Sequence, residues 1–488
     1  MTQDGGETWT DLTNRFTGVP KGSWVPQITA STYDAGEAFV VINNYRRNDW
    51  KPYVFRTTNF GKSWRKIVDD DKVWGHALAI VQDPVEPNLM FLGTEFGLYL
   101  SIDGAKNWTK WTYGYPTVST IDLKIHPREH DLVIGTFGRA AYVLDDLRPL
   151  RELAAEGTEV LNRHLHIFQP PTAVLAIRRQ ASGTRFNANA MYSGENRNGG
   201  AMVSFIYNPP KEELRNKSEP KTREGRGRGT SDGQPKKDKV KVEILNAMNK
   251  VIRTLQIEAD TGLNRTTWGL RRKGVRSTGG RGWGGQMRQD QEPPGPPVLP
   301  GNYTVRISHA KDTVSQVINV ITDPRVNIYS RNLEELQPLY DRQMELAELT
   351  GKALKQLREA KETIGSVNKL LDPKQNKNHK ELKTKGKEAQ EKIEHLEKLI
   401  VNPRGRQGIS RNPKVLSTQV GMLNRYLYSN TTGQNETHNV LLAHAEKETE
   451  KVLEQINSFF DEEWADYENE VESARLSHFK NYEPLKVK

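Results

Sequence analysis

The chain has 488 residues, of which only 35% are hydrophobic, a length that sets a prior of about three domains. It contains no cysteine, which excludes disulfides, thiolate metal sites and cysteine nucleophiles. The net charge of +10 is local: residues 211 to 290 hold twenty Lys/Arg against ten Asp/Glu, so a basic segment sits in an otherwise balanced chain.

In chain order, the first feature is a pattern of Ser/Thr, Asp/Asn, Gly and Trp at offsets of two, four and seven. It occurs as Thr2, Asp4, Gly6, Trp9, again as Thr57, Asn59, Gly61, Trp64, and again as Ser101, Asp103, Ala105, Trp108, where Ala replaces Gly. An Asp or Asn side chain accepts backbone N–H groups and shapes a turn. Gly takes a positive φ at little cost. Trp supplies a large apolar face to bury. Each copy therefore reads as a hairpin turn pinned into a core. The tryptophans are 55 and then 44 residues apart. Short strands repeating every ~40–50 residues are the signature of a β-propeller.

Up to residue 148 the chain reads as strands. Trp24–Ala30, Ala38–Asn43, Tyr53–Thr57 and Trp64–Val68 make one set of four. His76–Gln82, Leu89–Gly93, Leu98–Ser101 and Trp108–Thr112 make the next, and Thr120–His126, Leu132–Thr136 and Ala141–Leu144 begin a third. The inner grammar also repeats: Asp83-Pro84 or His126-Pro127 closes a strand, and the following strand reaches Gly93-Thr94 or Gly135-Thr136. About three blades result, fewer than the four to eight that close a ring. The first pattern copy also lies at the very start, with no strand before it. The expectation is a C-terminal portion of a longer protein, with any signal peptide upstream; Met1 to Gly6 shows neither a basic start nor an apolar run.

These three patterns resemble the Asp-boxes, or BNR repeats, of sialidases, xyloglucanases and sortilin (Vps10) propellers. The run from Asp83 through Phe91-Leu92-Gly93-Thr94-Glu95-Phe96-Gly97 to Trp108, and then Ile125-His126-Pro127 and Leu132 to Arg139, is similar to bacterial sortilin-like or "glycosyl hydrolase" BNR proteins. The resemblance covers residues 1–150. It implies an extracytoplasmic protein (periplasmic, cell-surface or secreted) whose propeller binds a glycan or a peptide. The alternative it implies is a glycoside hydrolase whose catalytic carboxylates lie largely in upstream blades. It also places the boxes on a rim away from any active site.

Residues 151–325 read as further strands, interrupted near 209–239 and 271–297 by basic, Gly-rich insertions without periodicity, expected to be disordered. Gly262-Leu263-Asn264, the Trp268 strand and Pro300-Gly301-Asn302-Tyr303 resemble an Ig-like sandwich of the flagellar-hook-capping type. From 326 to 488 the period becomes helical. Leu346, Leu349, Ala353, Leu357, Ala360, Ile364 and Val367 form the first stripe, and Leu382, Ala389, Ile393, Leu396 and Ile400 the second. Leu416, Val420, Leu423 and Leu427 form a third, and Leu442, Ala445, Val452, Ile456 and Phe459 a fourth. Short polar turns between them predict antiparallel helical hairpins, a surface for a protein partner. The fold class expected is multi-domain β plus α: a partial propeller, an Ig-like sandwich and a helical bundle.

A glycosidase needs two carboxylates about 5–9.5 Å apart. The candidates are Asp34, Asp49, Glu95, Asp122 and Asp145, with Glu95 and Asp122 foremost; each also reads as a turn or solvated residue. Sialidase chemistry would need three converging arginines, for which Arg56, Arg128 and Arg139 are available without a motif that unites them. His76, His126 and His130 lack ligand spacing, so no metal and no cofactor is expected. Aromatic faces stack on sugar rings or grip peptides. Trp24, Trp74, Phe96 and Phe137, with Arg139, are the ligand-binding candidates; Trp50, Tyr53, Tyr113 and Tyr115 share their strand-to-loop setting, and blade packing is the competing role. No stretch approaches the ~20 apolar residues of a membrane span. The basic insertion suits nucleic acid poorly, because acids interleave its Arg-Gly run.

Overall fold

Short apolar runs such as Phe39-Val40-Val41-Ile42 and Met90-Phe91-Leu92 are continuous rather than alternating, which suits strands covered on both faces. In the computed structural model they are the middle strands of antiparallel sheets. The structure describes residues 1–176, 197–210, 238–276, 291–326, 330–371, 377–402, 412–429, 433–474 and 476.

The first sheet runs β1 (Trp24–Ala30), β2 (Ala38–Asn44), β3 (Asp49–Thr57), β4 (Arg65–Lys66) in simple order. The second repeats it with β5 (Ala77–Gln82), β6 (Met90–Thr94), β7 (Gly97–Ser101) and β8 (Thr109–Trp111). The third has β9 (Thr120–Ile125), β10 (Leu132–Thr136) and β11 (Ala141–Leu144). Their first strands lie side by side, β5 packing on β1 and β9 on β5 and β6. Side chains stitch the seams. The Gln27 amide donates to Ile80 O at 3.0 Å and accepts from Ile80 N–H at 2.7 Å, imitating a peptide across the gap between β1 and β5. Gly93 lies so close to β9 that a Cβ there would sit 2.5 Å from Thr120 O.

The Ser/Thr-Asp/Asn-Gly pattern builds the same turn each time. The hydroxyl of Thr2, Thr57 or Ser101 donates to the side-chain oxygen two residues on, at 2.7, 3.0 and 2.9 Å. The same hydroxyl accepts the N–H of Gly6, Gly61 or Ala105, at 2.8, 3.0 and 3.0 Å. These three residues have φ of 104°, 71° and 67°, so Ala105 takes a left-handed backbone that Gly would adopt more cheaply. One expectation needs correcting. Trp108 is buried and its indole donates to Ile67 O at 2.8 Å, but Trp9 is 73% exposed and donates only to Gly6 O within its own turn.

Helix α1 (Arg148–Glu156), which strand periodicity did not predict, lays Leu150, Leu153 and Ala154 into a core shared with Leu98 of β7, Leu123 of β9 and Ile134 of β10. Phe168 and Ile206 complete that core, so it continues past residue 150. Arg151 of the helix points back to the sheets. Its Nε donates to both oxygens of the wholly buried Asp83 at 3.0 Å, its Nη2 lies 2.9 Å from Oδ2, and its Nη1 is 2.8 Å from His130 Nδ1. Asp83 also accepts the N–H groups of Val85 and Glu86, and the His126 imidazole accepts the Glu129 N–H in the equivalent turn of the third sheet. That is the role of the two X-Pro turns.

Beyond it, β12 (Leu165–Ile167), β14 (Ala201–Tyr207) and β17 (Gly262–Trp268) form one sheet. A five-stranded sheet faces it, ordered β13 (Ala173–Leu175), β21 (Asp312–Thr322), β20 (Gly301–His309), β15 (Asp238–Leu245) and β16 (Val251–Ala259), with β13 parallel to β21 and the rest antiparallel. Val203, Phe205 and Trp268 from one and Val242, Ile244, Val305 and Ile318 from the other make a common core. The segment read as the second basic insertion is structured at its ends: β18 (Arg271–Lys273) pairs with β19 (Pro294–Pro297). The rest of the two insertions, 211–237 and 277–290, lies outside the described residues.

Helices α2 (Ser330–Leu370), α3 (Lys377–Ile400), α4 (Leu416–Ser429) and α5 (Glu436–Phe459) pack around one apolar core, and a π-helical turn at Phe460–Trp464 leads into α6 (Ala465–Ser473). The stripes match except at Leu349, which is exposed while Leu354 takes an inward place. Among the described residues no helix is long and apolar enough to cross a membrane.

Candidate functional site

In a simple antiparallel meander, alternate connections fall at opposite ends. The pattern turns join β3 to β4 and β7 to β8; the β2–β3, β6–β7 and β10–β11 turns therefore lie at the other end, with the starts of β1, β5 and β9. The candidates Trp24, Trp74, Glu95, Phe96, Phe137 and Arg139 all belong to this second end.

His76 is the centre of the arrangement. It is buried, stacked on Tyr45 with centroids 4.3 Å apart, and 5.6 Å from the Trp50 ring. Tyr45 lies in the turn Tyr45–Arg47, which ends at Asn48 with φ of 61°; Asn48 Oδ1 accepts the Trp50 indole N–H at 3.1 Å. Arg46 lays its guanidinium over Trp24, at 5.1 Å, and over Tyr45, at 4.7 Å. From the next sheet the Glu95 carboxylate reaches 3.8 Å from His76 Nε2. Gly75, with φ of 80°, leaves room for the Phe96 ring, which a Cβ there would meet at 2.8 Å. Around this centre Trp24, Trp50, Trp74 and Phe96 remain 60%, 49%, 64% and 43% exposed. Large rings held by a built scaffold yet left open to solvent form a platform rather than a core.

Burial holds the His76 imidazole below its ordinary pKa; Glu95 opposes and Arg46 reinforces that shift. That favours the neutral form of the ring, whose Nδ1 is buried without a hydrogen-bond partner among the described residues. Asp49 opens on the same end and accepts the Tyr53 hydroxyl at 2.9 Å; burial and Asp49 together push that phenol up to about 12.

The other candidates scatter. Asp122 is exposed on β9 and its carboxylate accepts the N–H of its neighbour Leu123. Asp34 caps Gly36 N–H in the β1–β2 connection, at the opposite end. Asp145 is half-buried near the helix α1 junction, its carboxyl raised by burial and by Asp131. Arg56 pairs with the buried Glu37, and Arg128 with Glu129, both at the end away from Arg139, so the three arginines do not converge. Phe137 and Arg139 sit in the β10–β11 turn, where the Phe137 N–H donates to Ser119 O; Phe137 is largely exposed. The box acids serve their turns: hydrogen bonds, chiefly from Thr8, hold Asp4 far below the ordinary carboxylate range. For Asp103 the upward push of burial is outweighed by donors from Asn107, Ser101 and Lys106.

Sequence reading did not single out Tyr45, Arg46 or the stacking role of His76. The available signal was density: Tyr45-Arg46-Arg47-Asn48-Asp49-Trp50 is a short turn crowded with rings and cations. Among the described residues no group of three or more His, Asp or Glu is placed to hold a metal.

No family model and no curated protein matches the chain. Among solved structures it is similar to a GH74 enzyme of Niastella koreensis, at 17% identity and a TM-score of 0.23, over 38% of this chain and 28% of that one. It is also similar to an ancestral GH74 enzyme, at 11% identity and a TM-score of 0.18, over 60% of this chain and 35% of that one. The chain thus spans about a third of the length of each of these two enzymes.

Proposed function

We propose that the three N-terminal sheets are the last blades of an Asp-box, sortilin-like β-propeller, and that their aromatic end binds a glycan chain. The facing sheets after them are read as an Ig-like sandwich and the helices as a bundle offering a protein-partner surface. The same reading places the protein outside the cytoplasm. The carrying observation is the half-exposed set Trp24, Trp50, Trp74 and Phe96 around the buried His76 and the Tyr45 ring stacked on it. Sugar rings present C–H faces that pack on aromatic rings, while their hydroxyls use polar groups such as Glu95 and Asp49. The surface has both, at neighbouring turns.

A glycan array followed by calorimetric titration of the best ligand tests the proposal. Trp50→Ala should weaken binding by about tenfold or more, since a well-placed ring is worth roughly 1–3 kcal/mol; Trp9→Ala, at the other end, should leave it unchanged. Peptide binding without glycan binding on parallel arrays would overturn the glycan reading.

A second reading, a glycoside hydrolase, rests on Asp49 and Glu95 opening on one end of the sheets. It expects hydrolysis of a bound oligosaccharide that Glu95→Gln abolishes while binding survives. Binding with no cleavage across a broad oligosaccharide panel would dispose of it.

A further inference from the structure

A cleft of about 380 Å³ lies where the β18–β19 hairpin meets helices α2 and α4. Its size is at the small end of the ~300–1,000 Å³ range of ligand pockets. One wall carries Arg271 and the backbone of Gly274 and Gly295; the other carries Gln343, Asn424 and Tyr428. The Arg271 guanidinium is fixed in place. It lies 4.6 Å from the Tyr428 ring and donates from Nη1 to Gly295 O at 3.1 Å. A guanidinium has five N–H donors, more than these contacts use. Among the described residues no Asp or Glu lines the cleft, and the charge there is that of Arg271. Gln343 lines the cleft, and its side chain makes no hydrogen bond among the described residues. An amide open to the cleft offers a ligand both donors and an acceptor. Ser417 and Thr350 add hydroxyl groups to the lining.

We propose that this cleft binds a small hydroxylated organic acid of monosaccharide size, its carboxylate on Arg271 and its hydroxyls on Gln343 and Asn424. A neutral sugar would leave the cation without its counter-ion. A simple inorganic anion would leave the amides unpaired. The ligand would touch both the hairpin and the helices, and so would clamp one to the other.

The test is calorimetric titration of the full chain with glucuronate, and with glucose as the uncharged control at equal ionic strength. Glucuronate should bind and glucose should not. Arg271→Gln should weaken glucuronate binding by about tenfold or more, the usual loss for a charged hydrogen bond. Because Arg271 also supports the hairpin, a second variant is needed. Gly421 lines the cleft, and a Cβ added there meets nothing within 4 Å, so Gly421→Leu starts a bulky side chain at the cleft wall without a backbone clash. It should abolish binding while circular dichroism stays unchanged. No glucuronate binding by the unmodified chain, equal binding of glucose, or undiminished binding in Gly421→Leu would each overturn the proposal.

Discussion

Arg151→Met should be among the most damaging substitutions in the N-terminal sheets. Methionine keeps much of the arginine stem but removes the guanidinium from Asp83. That carboxylate is completely buried and would retain only the N–H donors of Val85 and Glu86. Removing one partner of a buried pair costs about 3–5 kcal/mol, because the remaining charge has no water to return to. A domain is stable by only about 5–15 kcal/mol, so this is a large fraction. The pair also joins helix α1 to two sheets, through Asp83 in one and His130 in the other. Asp83→Asn in the Arg151→Met background removes the stranded charge yet keeps an oxygen for the two N–H groups. The double variant should therefore lose only about 1–2 kcal/mol, the worth of ordinary hydrogen bonds. A chain with several cores need not unfold in one step, so a single melting temperature is a poor measure. Hydrogen exchange of the β5, β6 and β10 amides reports the affected unit directly. A loss under about 1 kcal/mol for Arg151→Met, or a double variant no milder than the single, would refute this account of the buried pair.

Two glycine substitutions should have opposite signs. Gly93→Ala drives a Cβ to 2.5 Å from the backbone oxygen of Thr120, which cannot step aside, and should cost about 1–3 kcal/mol by urea titration. Gly365→Ala, in α2 with nothing within 4 Å, should gain up to about 1 kcal/mol from helix propensity. Ala105→Gly should be near neutral: relief of the left-handed backbone, about 1–2 kcal/mol, is offset by loss of a buried methyl, about 0.8 kcal/mol. A loss of several kcal/mol would show that Ala105 is not strained. His76 makes stability depend on pH. Its folded-state pKa lies below the 6.5 of the unfolded chain, so the unfolded chain takes up the proton first as pH falls. Stability is full above 6.5 and declines below it until the folded state also protonates. His130, depressed by burial and by Arg148 and Arg151, acts in the same window. His76→Phe should flatten that slope without removing it; an unchanged pH profile would contradict the assignment.

Strand positions were legible because each sheet repeats one grammar, and helix positions because Leu382 to Ile400 and Leu416 to Leu427 keep a strict step. Helix α1 was not, since Arg148-Pro149-Leu150 follows a strand and is too short for a clear period. Leu349 misled for a related reason: it falls on a step of three or four, but Leu354 points more directly at the core. At the site, exposed rings were legible as residue types, whereas their assembly was not. Tyr45 and His76 are 31 residues apart in the chain, and only the packing of β5 on β1 and β2 brings them into one stack. Asp83-Pro84 was legible as a turn; its ion pair joins residues 68 apart and leaves no local trace.

The seam between the first two sheets, which the Gln27 amide bridges, differs in kind from the ladders within them. Within each sheet, neighbouring strands share a ladder of backbone hydrogen bonds that must be loaded together. Between the first two sheets, the bonds at the seam come from side chains, such as the pair that Gln27 makes with Ile80. Parting the two sheets would break those bonds and also expose the core that Phe39, Val41 and Val54 share with Ile80, Met90 and Leu92. Because Trp50 rides on one sheet and Glu95 and Phe96 on the other, the aromatic surface spans that seam and its shape depends on how the two sheets pack. The seam thus holds through a shared apolar core and several side-chain hydrogen bonds, of which the Gln27 pair is one.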